Sequence, residues 1–157
     1  MQAELVGISF AIRPHQAYYV PLGHSYLGVP KQISLDYAID ALKPIMIDPA
    51  IRKIGQNIKY DLLVLGHYGV QVKGVSFDTM IASYLLNPGK ASHGMDALAL
   101  EYLNHKTITY AEVTGSGKKQ IGFADVDVQT ATRYSGEDAD ITLRLKQTLA
   151  PLLREQN

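Results

Sequence analysis

Short apolar runs rich in β-branched and aromatic residues alternate along this chain with longer segments of helical period, and that alternation is what most restricts its fold. Leu5 to Ile12 (LVGISFAI) and Ala17 to Leu22 (AYYVPL) flank the turn residues Arg13-Pro14-His15-Gln16, which predicts an antiparallel hairpin. Ser34 caps a predicted helix reaching Ile47, and Pro44 inside it should kink or shorten it. Ile51 to Gln56 reads as a strand. Asn57 to Tyr68 follows as a helix with Ile58, Leu62 and Leu65 on one face and Gly69 as its stop. Val72 to Phe77 is another strand, Asp78 caps the helix Thr79 to Leu86, and Met95 to Leu103 is helical. From Val126 the pattern is helical almost to the end, with Ala131, Ile141, Leu145, Leu149 and Leu152 at helical spacing. Strands alternating with helices after a hairpin predict an α/β architecture with a mixed sheet flanked by helices.

Composition narrows the chemistry. With 157 residues the chain suits one domain, here 1–157. Fifteen basic residues balance fifteen acidic ones, so charge alone does not announce a nucleic-acid coat, although bound metal ions can supply positive charge beside phosphate. The absence of cysteine excludes disulfides, thiolate zinc and cysteine nucleophiles. No apolar run approaches a membrane span, and the expected setting is the cytoplasm.

Two stretches carry candidate chemistry. In RYSGEDADITLRL, Tyr134 and Asp138 stand four residues apart on a predicted helix and share a face. A phenol beside a carboxylate can hold a water next to a bound cation, although the pair taken alone reads more readily as a solvated couple on an amphipathic helix. In Asn57-Ile58-Lys59-Tyr60-Asp61, Asp61 falls just past the C-terminal end of a strand, where ligand crevices gather in open α/β sheets. Here too a local role competes, with Asn57 as a cap and Asp61 favoured in the first helical turn. The five histidines (His15, His24, His67, His93, His105) lack H-x-x-x-H and H-E-x-x-H spacing and are expected at the surface or in loops. Asp78 and Asp96 are expected to cap helices, and Glu137 and Asp140 to be solvated charge. Thr114 to Lys119 (TGSGKK) is a loop without the phosphate-loop spacing, and no glycine fingerprint for a dinucleotide is present.

Taken in order, LVGISFAI, KIGQNIKYDLLVL, GVSFDTMIASYLLN, GMDALALEYLNHKTITY and RYSGEDADITLRL resemble the proofreading 3′–5′ exonuclease domain of bacterial DNA polymerase I, over Leu5 to about Leu152. That family belongs to the DEDD exonucleases with a catalytic tyrosine and a ribonuclease H-like fold. The resemblance implies hydrolysis of the terminal phosphodiester at single-stranded or mispaired DNA 3′ ends, releasing nucleoside monophosphates. It implies two divalent ions, Mg²⁺ or Mn²⁺, held by Asp61 and Asp138, with Tyr134 orienting the attacking water. Gln56 and Asn57 then lie where relatives approach the 3′ end of DNA, and Tyr110 at an aromatic position beside the terminal nucleotides. The implied partners are single-stranded DNA 3′ ends and a covalently linked polymerase domain following in the parent, in a bacterial monomer.

The family's D-x-E motif, on a strand about ten residues before Leu5, has no counterpart in Met1-Gln2-Ala3-Glu4. The resemblance therefore implies a domain truncated at its N-terminus, lacking its first, central strand, with weak metal binding and unpaired strand edges at the gap. Ser92 stands where relatives tend to carry a phosphate-binding arginine. The alternative reading is a catalytically inactive, vestigial domain acting as a structural or DNA-binding module beside a polymerase. A small-molecule-binding α/β domain is a remote third.

Overall fold

A computed structural model describes residues 4–156. Met1, Gln2 and Ala3, among the residues that offer no counterpart to the D-x-E motif, lie outside the described residues. In chain order the elements are β1 (Gly7–Arg13), β2 (Gln16–Pro21), α1 (Leu35–Ile47), β3 (Lys53–Gly55), α2 (Ile58–His67), β4 (Val75–Asp78), α3 (Thr79–Leu86), α4 (Met95–Leu103), α5 (Tyr110–Thr114) and α6 (Val128–Glu155). Two single 3₁₀ turns, Gly117–Lys119 and Phe123–Asp125, precede α6. No helix among the described residues is long and apolar enough to cross a membrane.

The mixed strand orientations expected from the sequence are present, carried by two separate two-stranded ladders among the described residues. β1 and β2 pair antiparallel from Gly7 opposite Pro21 to Arg13 opposite Gln16, with an irregularity between Ala11 and Arg13. Pro14 and His15 make the connecting turn, with His15 in the left-handed region at φ 63°. β3 and β4 pair parallel, with Gly55 opposite Asp78.

The described residues fall into two compact units. The first holds residues 4–41 and 108–140, hence β1, β2, α5 and the first part of α6. Its buried anchor is His24, which lies in a loop as one half of the expectation had it but is only 4% exposed, which corrects the surface half. His24 Nδ1 lies 2.9 Å from the Val126 carbonyl, which can only accept. Nδ1 therefore carries a proton, and Nε2 is hydrogen-bonded with the Tyr19 hydroxyl at 2.8 Å. Burial pushes the Tyr19 phenol up to about 12. The sequence offered no sign of this network because its partners lie as much as 102 residues apart.

The second unit holds residues 42–107 and 141–156. Its core joins Ala82 of α3, Leu98 and Ala99 of α4, and Ile141, Leu145 and Leu149 of α6. The last three recur every four residues, the stripe that the sequence spacing predicts, and Leu152 packs beside them. Gly69 stops α2 as expected. It lies at φ 72°, its N–H donates to Gly66 and that of Val70 to Leu65, so the last turn closes without a side-chain cap. α1 continues through Pro44 to Ile47 rather than ending there. Asp96 is not the cap of α4. Gly94 holds that position, and Asp96 accepts from the Thr107 hydroxyl at 2.7 Å.

Gly136 is buried within α6, yet a Cβ there would meet only the Ala17 Cβ, at an ordinary 3.7 Å. Alanine fits the space and restricts the unfolded chain. Gly136→Ala is expected to stabilise the protein by about 0.5–1 kcal/mol, read by urea unfolding, and a destabilised variant would contradict this packing.

Candidate functional site

In the first unit the site grows from α6. Tyr134 and Asp138 are one helical turn apart and both half-buried. Tyr110, the first residue of α5, is brought to Tyr134 by tertiary packing, with ring centroids 6.2 Å apart and edge to face. Phe123 completes the cluster, stacked on Tyr110 at 6.1 Å and tilted against Tyr134 at 5.8 Å. Tyr110 remains 46% exposed, which leaves ring surface for a flat ligand.

Local chemistry explains why Tyr110 sits there. Thr109-Tyr110-Ala111-Glu112 is a capping box: the Thr109 hydroxyl accepts from the Glu112 N–H, and the Glu112 carboxylate accepts from the Thr109 N–H at 2.6 Å. Glu137 accepts from the Ile108 N–H at 2.6 Å and so ties α6 to the segment entering α5. Asp140 accepts from the His15 N–H at 2.5 Å. Both acids are half-buried with specific partners, which corrects their reading as solvated charge. Phe123 escaped the sequence reading because it lies in a 3₁₀ turn, outside any helical or strand period.

The second unit gathers Gln56, Asn57 and Asp61 at the β3–α2 turn. Gly55 ends β3 where a Cβ would lie 2.7 Å from the Ile58 side chain, so only glycine allows this approach. Asn57 follows in the left-handed region at φ 54°, and its side chain does not cap α2. The capping role expected of it belongs to Asp78. That carboxylate accepts from Ile58 N–H at 2.8 Å and Asn57 N–H at 3.2 Å, while also capping α3. Gln56 is held on both sides of its amide. Its Nε2 donates to the His93 carbonyl at 2.9 Å, and its Oε1 accepts from the Thr79 hydroxyl.

Asp61 lies in the first turn of α2, but the electrostatics oppose the expected stabilisation of its anion. Packing around the carboxyl removes part of its hydration, and the Asp78 carboxylate repels it, pushing its pKa up to about 6. The helix-start amides that would favour a negative charge donate to Asp78 instead. The residue as a whole is exposed, so the effect is local to the carboxyl. Because the folded value is raised, ionisation of Asp61 opposes folding above about pH 6. That penalty is relieved as pH falls through 6 toward the ordinary value. We expect the Asp61 side-chain carbon to titrate near 6 by NMR in metal-free protein and to move downward in Asp78→Asn. A midpoint near 4 would contradict the local field described here.

The described residues contain no group of three or more His, Cys, Asp or Glu arranged to hold a metal ion. What the two units offer is oxygen chemistry: a carboxylate whose ionisation is costly at Asp61, and a carboxylate one turn from a phenol at Asp138. Both suit a hard divalent cation in donor type.

Comparison with known proteins adds independent findings. A family model described as 3′–5′ exonuclease matches residues 1–154. DNA polymerase I of Pseudomonas aeruginosa is 47% identical over 150 residues, covering 94% of this chain and 16% of that protein. The chain thus spans about a sixth of the length of that relative. Among solved structures, the POL domain of Pol1 from M. smegmatis in complex with DNA primer-template and dNTP matches with TM-score 0.64 and 23% identity, over 89% of this chain and 19% of that one. Brucella melitensis NrnC matches with TM-score 0.59 and 23% identity, over 96% of this chain and 72% of that one. A form of NrnC with bound Mg²⁺ matches with TM-score 0.56. The ribonuclease H-like exonuclease fold expected from the sequence is thereby established.

Proposed function

Because this chain belongs to the 3′–5′ exonuclease family, we propose that it hydrolyses the terminal phosphodiester of single-stranded or mispaired DNA 3′ ends and releases nucleoside monophosphates. The observation that carries the reading is the Tyr110–Phe123–Tyr134 cluster beside Asp138. It puts a half-exposed aromatic next to the phenol that the resemblance marks as catalytic, one helical turn from the carboxylate so marked.

Each residue then has a task. The exposed ring of Tyr110 stacks on the terminal base, a contact that tolerates any base because all four have a π-face. The Tyr134 hydroxyl orients the attacking water. Asp61 and Asp138 would hold divalent cations through oxygen. Two Mg²⁺ or Mn²⁺ ions, when bound, supply the positive charge that makes water nucleophilic and neutralises the phosphate and the leaving 3′ oxygen. A cation also relieves the cost of ionising Asp61, and protons compete with it below about pH 6. Gln56 and Asn57 contact the 3′ end, Gln56 through the one N–H and one lone pair that His93 and Thr79 leave it. A mispaired end enters most readily because it costs least to unpair.

We place the chain, a single exonuclease domain, as a monomer in the bacterial cytoplasm, joined to a polymerase domain in a longer protein like its relative. The testing experiment is release of the 3′-terminal nucleotide from labelled single-stranded DNA with Mg²⁺. EDTA should abolish release, and Tyr134→Phe should slow it by roughly 10²-fold. A Tyr134→Phe variant with unchanged kcat would remove the tyrosine from the mechanism.

A further inference from the structure

We propose that Asp78 and Thr79, at the junction of β4 and α3, are positioning residues for Asp61: a two-residue latch that fixes the start of α2 and thereby the place of its carboxylate. The inference rests on the reading of Asp61 as a metal ligand.

The parallel register sets Gly55 opposite Asp78, so the end of β4 lies alongside the β3–α2 turn. Every residue of that turn takes a bond from the latch. The Thr79 hydroxyl, fully buried, shares its one proton between the Gly55 carbonyl at 3.2 Å and the Gln56 side-chain oxygen. Asp78 Oδ1 accepts from the Asn57 N–H at 3.2 Å, and Oδ2 from the Ile58 N–H at 2.8 Å. Oδ1 also accepts from Met80 at 2.8 Å and Ile81 at 3.2 Å, which caps α3. One carboxylate thus closes the N-termini of two helices, and α2 has no side-chain cap of its own.

This division of labour needs a carboxylate. Asparagine has one acceptor oxygen, which can keep the α3 cap, but its NH₂ would face the Ile58 N–H, donor against donor. Asp61 is the fourth residue of α2 and completes the turn that Ile58 opens, so a shift at Ile58 carries it along. Misplacing a metal-binding or catalytic group by about 1 Å is enough to cost roughly 10²-fold.

The test uses the full chain with Mn²⁺ as probe, followed by NMR. In wild-type protein Mn²⁺ should broaden the amides around Asp61, from Tyr60 to Leu62. In Asp78→Asn the Ile58 amide should exchange faster with solvent while Asn57, Met80 and Ile81, which bond the retained oxygen, keep their protection. The Mn²⁺ dissociation constant from the broadening should rise about 10–100-fold. Thr79→Val should act in the same direction and Thr79→Ser should restore wild-type affinity, a pair that decides the matter if Asp78→Asn unfolds. Unchanged Mn²⁺ affinity in Asp78→Asn or Thr79→Val overturns the latch. A wild-type chain with no broadening around Asp61 contradicts the metal reading itself.

Discussion

Asp138→Ala is expected to lower the release of 3′-terminal nucleotides by at least roughly 10²–10³-fold while leaving the fold intact, the size of loss seen when a group that stabilises transition-state charge is removed. The fold should survive because alanine is the strongest helix former, and α6 is anchored beyond this position by Ile141, Leu145 and Leu149. The loss should appear in kcat, since the proposed role is exerted on the reacting phosphate rather than on binding of the strand. Hydrolysis of labelled single-stranded DNA beside a urea unfolding curve separates the two effects. Full activity in a folded Asp138→Ala variant would end the assignment of this carboxylate.

The largest stability loss is expected at Leu145. Its side chain is fully buried between α4 and α6, among Leu98, Ala99, Ile141 and Leu149. Truncation to alanine removes the apolar contacts and leaves a cavity that these helices can close only in part. Leu145→Ala should therefore cost about 2–5 kcal/mol by urea unfolding. Leu100, on the same helix as Leu98 but 60% exposed, is the control, and Leu100→Ala should stay within about 0.5 kcal/mol. Equal effects at the two positions would contradict the core as described.

Which features were legible in the sequence follows from their range. The stripe of Ile141, Leu145 and Leu149, the stop at Gly69 and the cap at Asp78 are local patterns, and each lies where its spacing puts it. The second half of the work of Asp78 was not legible, because the α2 amides it closes are 20 and 21 residues away. Asn57 looked like the cap of α2 by composition, yet its left-handed backbone at φ 54° goes with a cap supplied from outside.

The aromatic site shows the same boundary. Tyr134 and Asp138 stand together by helical spacing but were marked as a site, like Tyr110, by resemblance. Phe123, which joins the two tyrosines, has no periodic signature. The capping box at Thr109 and Glu112 could have been read directly as the start of a helix and would have placed Tyr110 at its head. His24, Glu137 and Asp140 needed tertiary partners to reveal that they are held rather than solvated.

The most direct measurement is a time course of this chain acting on 5′-labelled single-stranded DNA with Mg²⁺. The account predicts a ladder of products shortened one nucleotide at a time from the 3′ end, with free deoxynucleoside monophosphates and no shortening in EDTA. An unshortened strand under Mg²⁺, or a ladder that persists in EDTA, would contradict it.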